Sequence, residues 1–261
     1  MRKDPILAAP YTSSGGMSAF APILPDLPAD FDLPAHLDRA ILNRLIAAAL
    51  HPDRLEAEEV LVACISEGLT ADILIDSYIP TVARVLGEFW CVDTLGFAEV
   101  TIAVARLQGH VRILDQLSRR PIFETMDPPA ILMVIPPNGY HTLGAMIALS
   151  KFRRLGASVR LIIAQNSEEL AETLTERSFD MVAISASGCE KLELLRLLVE
   201  KVRKSGPNVP PIVIGGSILE TDPEAHIHVG ADYAAADPKE AMTLCGLMIP
   251  NSDANSRVSE V

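Results

Sequence analysis

The sequence predicts an α + α/β chain, a four-helix bundle followed by a domain built on a five-stranded parallel sheet. Two observations predict this. Between Leu33 and Leu117 apolar residues recur at three- and four-residue spacing, the period of an amphipathic helix. From about Pro129 the pattern changes: short apolar runs of strand length alternate with helical segments, as in a parallel sheet covered on both faces.

The helical half opens with LDRAILNRLIAAAL. A second helix, HPDRLEAEEVLVACISEG, has Pro52 and Asp53 as start signals and Gly68 as its stop. The third, TADILIDSYIPTVARVLGEFW, starts at Thr70 and contains Pro80, so a kink or break is expected there. FAEVTIAVARLQGHVRILDQL is the fourth. Short connections between four such helices imply a compact bundle over 34–120.

The second half, 128–250, supplies five strand-like runs: AILMVIP, SVRLIIA, DMVAIS, PPIVIGG and ADYAAA. The helical segments between them imply the flavodoxin-like order 2-1-3-4-5, with ligands at the carboxyl ends of the strands beside the switch point. Residues 1–33, rich in Pro, Ala, Ser and Gly, read as a disordered or weakly packed arm whose Phe20, Ile23, Leu24 and Leu27 can dock. Residues 251–261 read as a flexible tail.

The chain has 22 basic and 34 acidic residues, a net charge of −12, which repels nucleic-acid phosphates. The basic clusters SRR (Ser118 to Arg120) and KFRR (Lys151 to Arg154) are too small to offset this and read as solvated helix ends. No strong direct nucleic-acid binding is expected. Cys64, Cys91, Cys189 and Cys245 form no CxxC pair, so each reads as a small buried residue in a reducing compartment. No apolar run has the length of a membrane span, and no secretory signal is evident. A cytoplasmic protein with no membrane contact is expected.

Three loops at the ligand edge carry unusual residues. Strand one is followed by NGYHTLG, strand three by SASG (Ser185, Ala186, Ser187, Gly188), and strand four by GGS (Gly215, Gly216, Ser217). A neutral imidazole, His141, can ligate a metal. One His without the three-ligand cluster of a zinc site suits a metal that brings its own equatorial ligands, in a corrin or a haem. Each feature also has a plainer reading. His141 can be a turn residue, and Ser185 and Ser187 can cap the next helix. Gly215-Gly216 can be a simple turn, Trp90 a core aromatic and Glu99 a solvated charge. His226 and His228, in HIHVG, read as packing residues on a loop or short strand.

Together these residues carry a resemblance. Gly139-Tyr140-His141-Thr142-Leu143-Gly144, then Ser185-Ala186-Ser187, then Gly215-Gly216 resemble the cobalamin-binding domain family of methionine synthase and the methylmalonyl mutases. That family carries Asp-x-His-x-x-Gly, Ser-x-Leu and Gly-Gly in these three loops. GADYAAADPKEA, which contains Tyr233, resembles its last strand and helix. LGEFWCVDTLGFAEVTIAVARLQ resembles the bundle that caps the upper corrin face, with Trp90 matching the capping Trp. The span from Leu33 to Met248 is similar to the AerR/PpaA group, regulators of photosystem gene expression.

The resemblance implies a light-responsive regulator and not an enzyme, acting as an antirepressor on a CrtJ/PpsR-type repressor. It implies hydroxo- or adenosylcobalamin held on His141 as lower cobalt ligand. Gly139, Tyr140, Thr142, Gly144, Ser185, Ser187, Gly215, Gly216 and Tyr233 are then contacts below the corrin, and Trp90, Phe97 and Thr101 contacts above it. Gly215 and Gly216 would spare the nucleotide tail a collision. Haem stays open as the alternative cofactor. A corrinoid carrier of a methyltransferase stays open as the alternative role.

Three departures from the pattern matter. Gly139 replaces the Asp that holds the second nitrogen of the ligating His, and loss of such a partner weakens metal affinity about 10- to 100-fold. The cobalt–His bond should therefore be weak or exchangeable. Ser187 replaces the Leu of Ser-x-Leu and adds a hydroxyl. Val100 and Thr101 replace the Glu-His of light-sensing relatives, so the upper-face His is missing. His110, farther along the same helix, a His from a partner, and water or hydroxide are the remaining upper ligands, with water or hydroxide preferred.

Overall fold

The computed structural model describes Leu27 and residues 31–118, 127–137, 142–164, 167–206 and 208–248. Most of the arm and the tail, and SRR beyond Ser118, lie outside them.

Local chemistry sets the helix starts. In α1 (Arg39–Leu50) the Asp38 carboxylate accepts the Ile41 N–H, and in α2 (Arg54–Ser66) Asp53 accepts that of Leu55. Past α2 the chain turns at Gly68, whose φ of +99° suits glycine. Thr70 caps α3 (Ala71–Ile73), which passes through a π-helical turn (Leu74–Tyr78) into α4 (Ile79–Cys91). The break expected at Pro80 takes the form of this wider turn. Proline has no N–H to give and its ring crowds the carbonyl four residues back. In α5 (Phe97–Ser118), Glu99 is more than a solvated charge, because its carboxylate accepts the Gly96 N–H at 2.7 Å at the helix start.

The bundle core includes Leu42, Leu74, Ile79, Leu86 and Leu107. Leu27 is buried against it, and the Arg84 guanidinium lies 4.9 Å over the Phe31 ring.

The second half is a five-stranded sheet in the order β2-β1-β3-β4-β5, with every pairing parallel. The strands are β1 (Ala130–Ile135), β2 (Ser158–Ile163), β3 (Met181–Ser185), β4 (Ile212–Gly215) and β5 (Tyr233–Ala234). Alternation along the strands divides two cores. Val182, Ile184, Ile212 and Ile214 face α7 (Ser167–Glu176), α8 (Leu192–Arg203), α9 (Ile218–Thr221) and α10 (Ala225–Val229). Met181, Ala183 and Val213 face Phe152 of α6 (Thr142–Arg154) and Met242 of α11 (Pro238–Leu244). His226 and His228 lie on the short α10, not on a loop or strand.

Bundle and sheet meet along α6. Leu143 belongs to the bundle core, with Met146 and Ile147 packed beside it. KFRR is not a solvated helix end. Arg154 pairs with Asp76, Arg153 with Asp115, and Lys151 with Asp237 at the start of α11. A basic last turn of α6 is held by acidic groups on both neighbours, a long-range pairing that local charge counting does not show. Cys64 is buried as expected. Cys91 and Cys189 are exposed, because they sit at the outer end of α4 and in the turn after β3. Among the described residues, no helix is long and apolar enough to cross a membrane.

Candidate functional site

The site begins where β1 ends. Gly139, Tyr140 and His141 lie outside the described residues. Thr142 opens α6, and its hydroxyl accepts a 2.8 Å hydrogen bond from the Gln108 amide of α5. Farther along, Arg153 of α6 meets Asp115 of α5. The two helices therefore run in the same sense. The part of α5 before Gln108 continues past the start of α6 and past the carboxyl edge of the sheet.

Thr101 and Phe97 lie on that projecting part, about two and three turns before Gln108. At 100° per residue, Phe97, Thr101 and Gln108 share one stripe, the stripe turned toward Thr142. Phe97 is 73% exposed and Trp90 49% exposed, with ring centroids 6.5 Å apart. Neither is a core aromatic. The Thr101 hydroxyl donates to the Phe97 carbonyl at 2.7 Å. His110 faces the other way, 4% exposed, with Glu58 of α2 nearby. Burial pushes its imidazole down to about 4, so it stays neutral, and its direction removes it as an upper ligand.

At the sheet edge, Ser185 is in register with Gly215, and the Gly215 carbonyl accepts the Ala186 N–H at 2.8 Å. Alternation puts Ser185 and Gly215 on the α6/α11 face, with Ala183, Ala235 and Ala145 of α6. Small side chains thus gather at the strand ends on this face. Lys151 and Asp237 pair across those helices. Burial raises the Asp237 carboxyl, but the Lys151 ammonium and the Lys239 N–H more than offset this and leave it below its ordinary value. Tyr233 is paired with Val213, one pleat below Gly215, on the edge strand.

The glycines divide into two kinds. A Cβ at Gly216, whose φ is +101°, would collide with the Ala186 carbonyl oxygen, and one at Gly215 would lie 2.8 Å from the Ala235 oxygen. The chain's own backbone thus already requires glycine at both positions. Gly144 is the opposite case. It lies in the first turn of α6, and a Cβ there would meet nothing within 4 Å. A helical glycine costs up to about 1 kcal/mol relative to alanine, and internal packing gives no return at this position.

Ser187 is 8% exposed, and among the described residues its hydroxyl has no hydrogen-bond partner. It does not cap α8, nor does Ser185. The residue before α8 is Lys191, and the Ser187 N–H is instead bonded by the Glu190 carboxylate. The Ser187 hydroxyl, buried and unpartnered among the described residues, and the small side chains at the strand ends fit a ligand with a polar tail at this edge. Gln108 was not singled out from sequence, although its helical phase with Phe97 and Thr101 is the signal that finds it.

Residues 130–243 match the family model described as B12 binding domain. Over 160 residues the chain is 33% identical to the "Uncharacterized 20.5 kDa protein in bchF-crtJ intergenic region" of Rhodobacter capsulatus, covering 61% of this chain and 83% of that protein. The fold is similar to that of the Methanosarcina barkeri monomethylamine corrinoid protein, with TM-score 0.63 and 13% identity, over 81% of this chain and 99% of that one. The fold likeness thus reaches beyond the sheet into the helical half. The sequence likeness spans most of a relative's length. On these grounds the chain belongs to the AerR/PpaA-like, bundle-capped branch of the B12-binding domain family.

Proposed function

We propose that this protein is a cobalamin-responsive, light-dependent regulator that acts as an antirepressor by binding a CrtJ/PpsR-type repressor in the cytoplasm, and that it is not an enzyme. The observation that carries the cofactor half is the match of residues 130–243 to the B12 binding domain model, with the Ser187 hydroxyl buried and unpartnered among the described residues at the same edge. The regulatory half is supported by the relative whose name places it beside crtJ, and by an acidic chain suited to protein rather than nucleic-acid partners.

When bound, cobalamin would supply a light-sensitive cobalt centre. His141 would hold it through a neutral imidazole, so binding would weaken on acidification. With Gly139 where the family carries Asp, that bond would be easier to exchange. Ser185 and Ser187 offer hydroxyls to the nucleotide tail, and the Ser187 hydroxyl gains the partner it lacks. Trp90 and Phe97, exposed beside each other at the end of the bundle, would contact the cofactor from the bundle side. Thr101, bonded to its own helix, would bring no strong metal ligand, so water or hydroxide would take that place.

The test mixes the protein with hydroxocobalamin, adenosylcobalamin or haemin, separates it by size, and records absorption, with His141→Ala as control. Co-elution of a corrinoid that is altered in the control supports the cofactor half. Retention of haemin alone replaces cobalamin with haem. Repressor binding is then compared in dark and illuminated samples. Equal binding in both removes the light switch, and methyl transfer to a partner enzyme would point to a carrier instead.

A further inference from the structure

The geometry assigns to Gln108 a positioning role: it holds the first turn of α6 in the arrangement that receives the cofactor, and so lets the bundle govern the lower side of the site. This rests on the cobalamin reading above. Two observations carry it. First, α6 is fastened unequally along its length. Its last turn is held by charge pairs, Arg153 to Asp115 and Arg154 to Asp76 and Asp72. Among the described residues, its first turn is held by apolar packing, of Leu143 on the bundle and of Ala145 against Met133 and Ile135 of the sheet, and by a neutral bond from Gln108 to Thr142. Apolar packing is non-directional, so the Gln108 bond is the directional contact that fixes how that end sits against the bundle.

Second, Gln108 lies on the same stripe of α5 as Phe97 and Thr101. A displacement of that stripe by whatever sits under Phe97 reaches Thr142 through one rigid helix. The upper and lower sides of the site are thereby linked through Gln108 rather than through the cofactor alone. Losing the bond should lower the fraction of molecules with α6 correctly placed, and with it the apparent affinity.

The test is a double-mutant cycle with Gln108→Ala and Thr142→Val. Each full-length protein is titrated with hydroxocobalamin while the cobalt absorption band and the dissociation constant are recorded. Gln108→Ala should weaken binding about fivefold, the factor one neutral hydrogen bond carries, and move the band toward that of His141→Ala. In the Thr142→Val background the same change should cost nothing further. A wild-type band and affinity for Gln108→Ala overturns the inference. So does an equal loss in both backgrounds, because the two residues then act separately. If the wild type itself retains no cobalamin, both readings fall. If it does and the cycle shows no coupling, only this one falls.

Discussion

Arg154, in the last turn of α6, donates to both carboxylate oxygens of Asp76, in the π-helical turn of the bundle. The pair joins the two halves of the chain at a partly buried position, and burial's cost to the guanidinium is more than offset by Asp76 and Asp72, so its pKa is raised. Asp76→Asn should therefore lower stability by about 2 kcal/mol, because it leaves a partly buried guanidinium short of charge. Urea unfolding measures this. An unchanged midpoint would show that the pair is decorative.

His110 predicts the acid response. Burial lowers its folded pKa from about 6.5 to about 4. The sign follows from linkage: the unfolded chain binds the proton first, so stability is full above about pH 6.5 and falls as the pH drops toward 4. The loss should reach about 2 kcal/mol by pH 5. Unfolding of the wild type and of His110→Leu at pH 7 and pH 5 separates this residue from the rest. A His110→Leu variant with the wild-type pH dependence would refute the assignment.

The two kinds of glycine should respond in opposite ways. Gly216→Ala places a side chain against the Ala186 carbonyl at a positive φ, and should cost at least about 2 kcal/mol. Gly144→Ala should leave stability unchanged or raise it by up to about 1 kcal/mol. It should nevertheless abolish or strongly weaken cobalamin binding. Thermal unfolding paired with cofactor retention reads both, and a Gly144→Ala protein that retains cobalamin fully would remove the reason given for that glycine.

Trp90 is the one tryptophan in the sequence, so it reports on the cap without labelling. Hydroxocobalamin should quench its fluorescence saturably. Phe97→Ala should weaken that titration while changing stability by less than about 0.5 kcal/mol, since Phe97 is largely exposed. A large stability loss with an unchanged titration would mean that the ring serves the bundle and not the ligand.

Much of the fold was legible in the chain. Asp53, Thr70 and Gly68 mark helix limits by local hydrogen bonding and backbone freedom, and these stand in the structure. The parallel pairing follows from alternation of strand and helix, because a parallel sheet needs a crossover between successive strands, and the order is the flavodoxin-like one expected for five such strands. The three loops of the candidate site were also legible, since topology alone carries Ser185, Gly215 and the start of α6 to one edge.

What depended on contacts between distant segments was not legible. KFRR read as a solvated end because its acidic partners, Asp76, Asp115 and Asp237, are remote in sequence. That Ala235 and Ala186 stand against Gly215 and Gly216 is likewise a contact nothing local reveals. The direction of His110 and the reach of Gln108 to Thr142 depend on how α5 lies against α6. Periodicity and capping act over a few residues, so the sequence by itself determined the elements and the family. Packing joins residues far apart in the chain, so only the tertiary structure decided which glycines the chain's own backbone pins and which side chains join the bundle to the sheet domain.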